Sequence, residues 1–81
     1  MPGLRRLYAP QRVAVRTDPR GAPTTVEGHQ VETVREEWLV EDRWWTSKPL
    51  RRHYFELALG DGRALTVFRT ARGQRWYRQR A

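Results

Sequence analysis

The chain has no cysteine, which excludes disulfide staples and thiolate-held zinc together. Histidine is scarce. His29 and His53 are the two, they lie far apart, and neither sits in a carboxylate pattern typical of a metal site. No metal or other cofactor is expected. No apolar run approaches the ~20 residues that a membrane-spanning helix needs. Residues 1–6 lack the apolar stretch of a secretory signal. The expectation is a cytoplasmic protein with no membrane partner. Lysine is nearly missing, Lys48 being the only one. Acids are nearly missing from the second half: residues 43–81 hold ten basic residues and two acids, whereas residues 1–42 hold six arginines and seven acids. The formal charge of +7 therefore comes from the second half. Such a balance favours a polyanion, with nucleic acid first. Arginine also forks phosphate and stacks on bases better than lysine.

Recognisable catalytic patterns are missing too. There is no Gly-x-x-x-x-Gly-Lys phosphate loop, no Gly-x-Ser-x-Gly elbow and no His-Glu-x-x-His. Glu36-Glu37 and Glu41-Asp42 are adjacent acids. Neighbours in a strand point to opposite faces, so at most one of each pair could converge on a metal. They read as a solvated face. The chain is expected not to be an enzyme, and no small-molecule substrate is evident.

Eighty-one residues allow one domain with a small core. Residues 1–10, punctuated by Pro2, Gly3 and Pro10, read as a flexible lead-in. Residues 11–81 read as a single β domain. Val13 and Val15 alternate with polar neighbours in a half-buried strand, and Asp18-Pro19-Arg20-Gly21 is a turn signal. Thr24 to Glu27 is extended, and Gly28-His29 is a candidate turn. The stretch Val31 to Trp45 is ambiguous. Val31, Val34, Trp38 and Trp45 fit helical spacing, whereas Val34, Trp38 and Val40 fit one strand face. β-branched and aromatic enrichment favours a long strand, bent or bulged near Glu36-Glu37.

Ser47-Lys48-Pro49 breaks the pattern, and Phe55, Leu57 and Leu59 then alternate. Gly60-Asp61-Gly62-Arg63 is a strong hairpin signal. A bulged loop pairing Leu59 with Leu65 would keep Leu57, Leu59, Leu65 and Val67 on one face. A plain two-residue turn would pair Phe55 with Phe68 instead. Ala64 to Thr70 is the return strand, and Gln74 to Arg80 the last. About six short strands joined by tight turns predict an all-β fold, a small antiparallel barrel or half-open barrel of SH3-like or OB-like type. The expected core is Val13, Val15, Val34, Trp38, Val40, Phe55, Leu57, Leu65, Val67 and Trp76.

Four tryptophans are many for this length. Trp44 and Trp45 are adjacent, so both cannot enter one core from a regular strand. Two basic-aromatic clusters stand out. Arg43, Trp44, Trp45, Lys48, Arg51, Arg52 and Tyr54 form the first, and Arg69, Arg72, Arg75, Tyr77, Arg78 and Arg80 the second. Clustered cations attract phosphate, and exposed rings stack on unpaired bases. Without Trp44 and Arg80, the eleven others are the candidate nucleic-acid-binding set. The structural alternative is that the rings are core or cover, with arginine stems packed over them.

The run Val34-Arg35-Glu36-Glu37-Trp38, then Asp42-Arg43-Trp44-Trp45, Arg51-Arg52-His53-Tyr54-Phe55-Glu56-Leu57, Asp61-Gly62-Arg63 and Trp76-Tyr77, resembles a small uncharacterised bacterial domain. That domain is similar to the C-terminal extension of Y-family DNA polymerase-like proteins of the mutasome (ImuB) type. The likeness spans about residues 31–80 and brings no catalytic residues. It implies an accessory module in lesion bypass. Its partner would be nucleic acid, with single-stranded DNA favoured, or a polymerase or other DNA-repair protein that it recruits.

Overall fold

A computed structural model describes residues 10–42, 50–71 and 75–79 of the chain. Arg43, Trp44, Trp45, Lys48, Arg72 and nearly all of the expected lead-in lie outside the described residues. Seven strands follow one another: β1 (Gln11–Val13), β2 (Val15–Thr17), β3 (Pro23–Val26), β4 (His29–Asp42), β5 (Leu50–Leu59), β6 (Ala64–Thr70) and β7 (Trp76–Arg78). They form one antiparallel sheet in the order β1-β7-β6-β5-β4-β3-β2. β1 and β2 stand at opposite edges of that order yet are separated in the chain by Ala14 alone. They are two halves of one bent strand, and they draw the sheet into a nearly closed barrel. The connectivity is a plain meander, without the Greek-key crossover that an OB-type barrel carries.

The seam is held at Ala14. Its N–H donates to Glu27 Oε1 (3.1 Å), and its carbonyl accepts from the Glu27 N–H (2.8 Å). Glu27 and Gly28 form the two-residue turn between β3 and β4, since Val26 pairs with His29. Both have positive φ, 49° and 79°, the signature of a type I′ turn. The turn thus lies one residue earlier than Gly28-His29. A residue with a Cβ is disfavoured at φ 49°, and here the carboxylate's bond across the seam gives a reason for it. Asp18 forms the other early turn, its Oδ1 accepting from Arg20 N (2.8 Å) and Ala22 N (3.0 Å).

At the β5–β6 hairpin, Leu59 N donates to Arg63 O (2.8 Å), and Gly62 N donates to Leu59 O (3.0 Å), with Gly62 at φ 91°. That is a three-residue loop with glycine in the left-handed position. Leu57 pairs with Leu65, Phe55 with Val67, and Tyr54 with Phe68. Neither of the two pairings considered from sequence occurs, but Leu57, Leu59, Leu65 and Val67 do share one face.

That face is the barrel interior. Phe55, Leu57, Val67, Trp76 and Val26 are buried together, and Val13, Val15, Val31, Val34 and Leu65 pack against them. Trp38 and Val40 are corrections: they are 37% and 38% exposed and face outward. The cause is β4. Its pairing with β5 slips between Val31 and Thr33 and again between Val34 and Glu36, so one extra residue is bulged out each time. A one-residue slip sends every later side chain to the other face. Val34 therefore points inward opposite Leu57, whereas Trp38 points outward opposite Tyr54.

Candidate nucleic-acid interface

The outer face of the sheet carries a row of rings. Trp38 on β4, Tyr54 on β5, Phe68 on β6 and Tyr77 on β7 occupy consecutive cross-strand positions. Trp38 and Tyr54 are stacked, with centroids 5.3 Å apart and planes within 6°. Tyr54 and Phe68 are tilted at 4.9 Å, and Phe68 and Tyr77 are stacked at 5.3 Å. These separations are close to the spacing between neighbouring strands. The register creates the row, because alternation places one ring per strand at the same height. Arg12 pairs with Tyr77 and extends the row to β1.

Arginines line one side of it. Val40, Arg52 and Thr70 form the next row, and the Thr70 N–H donates to Arg75 O (3.2 Å), which puts Arg75 at its end. The Arg52 guanidinium lies 4.7 Å from the centre of the Phe68 ring, a cation–π contact. Its Nη1 also reaches the Tyr54 hydroxyl at 3.4 Å. Arg52 Nε is buried with no hydrogen-bond partner among the described residues, which costs about 1–3 kcal/mol. Phe68 itself is buried, so the rings with open surface are Trp38, Tyr54 and Tyr77. The opposite side of the row is acidic: Glu36 pairs with Glu56, and Arg35 Nε lies 3.8 Å from Glu56 Oε1.

The seven described members of the expected binding set thus divide. Arg52, Tyr54, Arg75 and Tyr77 share the outer face. Arg51 and Arg69 belong to the inner face at one mouth of the barrel, where Arg51 Nε lies 3.6 Å from Glu41 Oε1. Arg69 lies 5.5 Å from the centre of the Trp76 ring. There His53 Nε2 donates to Glu37 Oε2 (2.8 Å), and His53 Nδ1 lies 3.4 Å from Arg69 Nη2. A neutral imidazole with its proton on Nε2 satisfies both neighbours. Arg78 falls on the inner register opposite Val67 and lines a cleft at the other mouth with Glu27, His29 and Arg63. Arg43, Trp45, Lys48 and Arg72 lie outside the described residues.

Sequence reasoning missed Phe68, the middle of the row, and placed Trp38 in the core. The signal for Phe68 was the glycine pair at 60 and 62, which sets the three-residue loop and hence the Tyr54–Phe68 pairing.

Among the described residues no titratable centre of catalytic type emerges. Asp61 at the hairpin tip is held below the ordinary aspartate range, first by the Arg63 backbone N–H donated to its Oδ1 (3.0 Å) and then by the Arg63 side chain, with Nε 2.8 Å from Oδ2. Among the described residues no group of three His, Asp or Glu comes together that could hold a metal, and no helix is long and apolar enough to cross a membrane. No protein-family model, curated protein or solved structure matches the chain.

Proposed function

We propose that the protein is a non-enzymatic accessory module that binds single-stranded nucleic acid across its outer face, in DNA damage tolerance or a related DNA transaction. One observation carries the binding: a four-strand aromatic row flanked by Arg52, Arg75 and Arg12. Stacking on Trp38, Tyr54 and Tyr77 needs unpaired bases, and the arginines supply the phosphate attraction. The Arg52 guanidinium is a suitable cation to swing toward a phosphate, because its present position leaves Nε without a partner. The row is short, so the site takes on the order of four nucleotides, the low end for a single barrel. The lesion-bypass context rests on the resemblance of residues 31–80 to polymerase-like tails.

The test is fluorescence anisotropy with a labelled single strand of about 20 nucleotides, several such sites long, and the matching duplex. Saturable binding of the single strand with little binding of the duplex supports the reading. Equal binding of both, or none at low salt, contradicts it.

A second reading, recruitment of a polymerase or another DNA-repair subunit, is favoured by a different observation. Beyond its first two residues, β4 pairs only with β5, so residues 31–42 form a strand edge with no partner among the described residues.

A further inference from the structure

We propose that the free edge of β4 from Glu36 to Asp42 accepts an added antiparallel strand from a basic partner segment, with a flat side chain of that segment extending the ring row beyond Trp38. This deepens the second reading above, naming the place and the chemistry of the partner.

Long unpaired edges invite strand addition, and proteins blunt them with bulges and charges. β4 is blunted in its first half only. Both register slips lie before Glu36, and from Glu36 to Asp42 the pairing with β5 runs without interruption. That regular half exposes three consecutive apolar residues, Trp38, Leu39 (59% exposed) and Val40. A backbone ladder and alternating apolar side chains are what an incoming strand uses.

Charge selects the occupant. Residues 36–42 hold Glu36, Glu37, Glu41 and Asp42 and no basic residue. Two copies of β4 paired edge to edge would set these acids against one another, so a second copy of this chain is disfavoured. A segment with lysine or arginine opposite Glu36, Glu37 and Glu41 is complementary. The Trp38 ring is stacked on one side by Tyr54, and its other side faces the free edge. A tyrosine or tryptophan opposite Trp38 would take the next place in the row, and aliphatic residues would cover Leu39 and Val40.

The experiment is an amide-resolved NMR titration of the full chain with the capped peptide Lys-Val-Val-Tyr-Lys-Lys, which places those side chains in antiparallel register. Saturable shifts confined to residues 36–42 and their β5 partners are expected. Binding should weaken at least tenfold when the lysines are replaced by glutamate, and when alternate peptide amides are N-methylated. The Glu36→Lys variant, altered at an exposed position, should bind the peptide more tightly when the last lysine, which faces residue 36, is replaced by glutamate, the opposite of wild type and a swap that loss of folding could not produce. Shifts centred on Arg12, Arg75 and Tyr77, indifference to N-methylation, or no saturation would overturn the proposal. So would concentration-dependent dimerisation through β4 that excludes the peptide. A single-stranded oligothymidine titrated in parallel separates the two readings. If it shifts the arginine side while the peptide does nothing, the edge proposal fails and the nucleic-acid reading stands. The converse result does the opposite.

Discussion

The Trp38 indole and the Tyr54 phenol ring lie parallel, 5.3 Å apart, on the face of the sheet that turns away from the core. The pair exists because the second bulge of β4 moved Trp38 out of the barrel. Its strength is testable by a double-mutant cycle. Trp38→Ala and Tyr54→Ala should couple by about 0.5–1.5 kcal/mol in urea unfolding, the range for aromatic pairs. Additive losses would mean that the rings merely neighbour each other.

The division of the arginines gives a sharper prediction. Arg52→Ala and Arg75→Ala should each weaken single-strand binding several-fold. Arg78→Ala should leave it unchanged, because Arg78 sits on the inner register at the far mouth. Anisotropy titrations of the three variants decide this. A larger loss at Arg78 than at Arg52 would move the interface to the barrel mouth.

Glu27 serves both the β3–β4 turn and the barrel seam. Glu27→Ala keeps the strained backbone and loses the bond to Ala14, and should cost about 1–2 kcal/mol in urea unfolding. Glu27→Gly loses the same bond but relieves the positive φ, so it should cost about 1 kcal/mol less. If the two variants are equally stable, strain at this turn is negligible.

Asp61 makes a pH-dependent contribution. Its folded-state pKa is lowered, chiefly by the Arg63 backbone N–H. A lowered carboxyl pKa stabilises the fold above the unfolded value of about 4, and the contribution is lost as pH falls through the folded value. Wild type should therefore melt above Asp61→Asn at neutral pH, and the gap should close on acidification below about pH 4. A gap that persists in strong acid would show that the carboxylate's charge is not its source.

Much of the barrel was legible. Period-two alternation in β5 and β6 and the glycines around Asp61 located the hairpin and the inner residues Phe55, Leu57, Leu65 and Val67. The β4 strand was legible as a strand but not in its faces. Val31 and Val34 are three apart and still share the inner face because Glu32 is bulged, which is why the stretch also looked helical. Trp38 is four residues from Val34 and lies on the opposite face because a second residue is bulged. Bulges arise from the fit between two strands, and single-strand periodicity does not encode that fit. The candidate site was legible as composition, in Arg52, Tyr54, Arg75 and Tyr77. Its assembly into a row needed the register of four strands. Arg78 does not share the outer face, because alternation about Trp76 puts it inward with the indole.

The central claim is that the arginine-flanked ring row binds single-stranded nucleic acid. The most direct test is the salt dependence of that binding for wild type and for the triple variant Arg12→Ala, Arg52→Ala, Arg75→Ala. Each phosphate neutralised on a single strand contributes about 0.7 to the slope of log K against log salt. The account predicts a slope smaller in magnitude by roughly 2 in the triple variant, with the preference for single strand over duplex retained through the rings. An unchanged slope would contradict the assignment of the interface to this face.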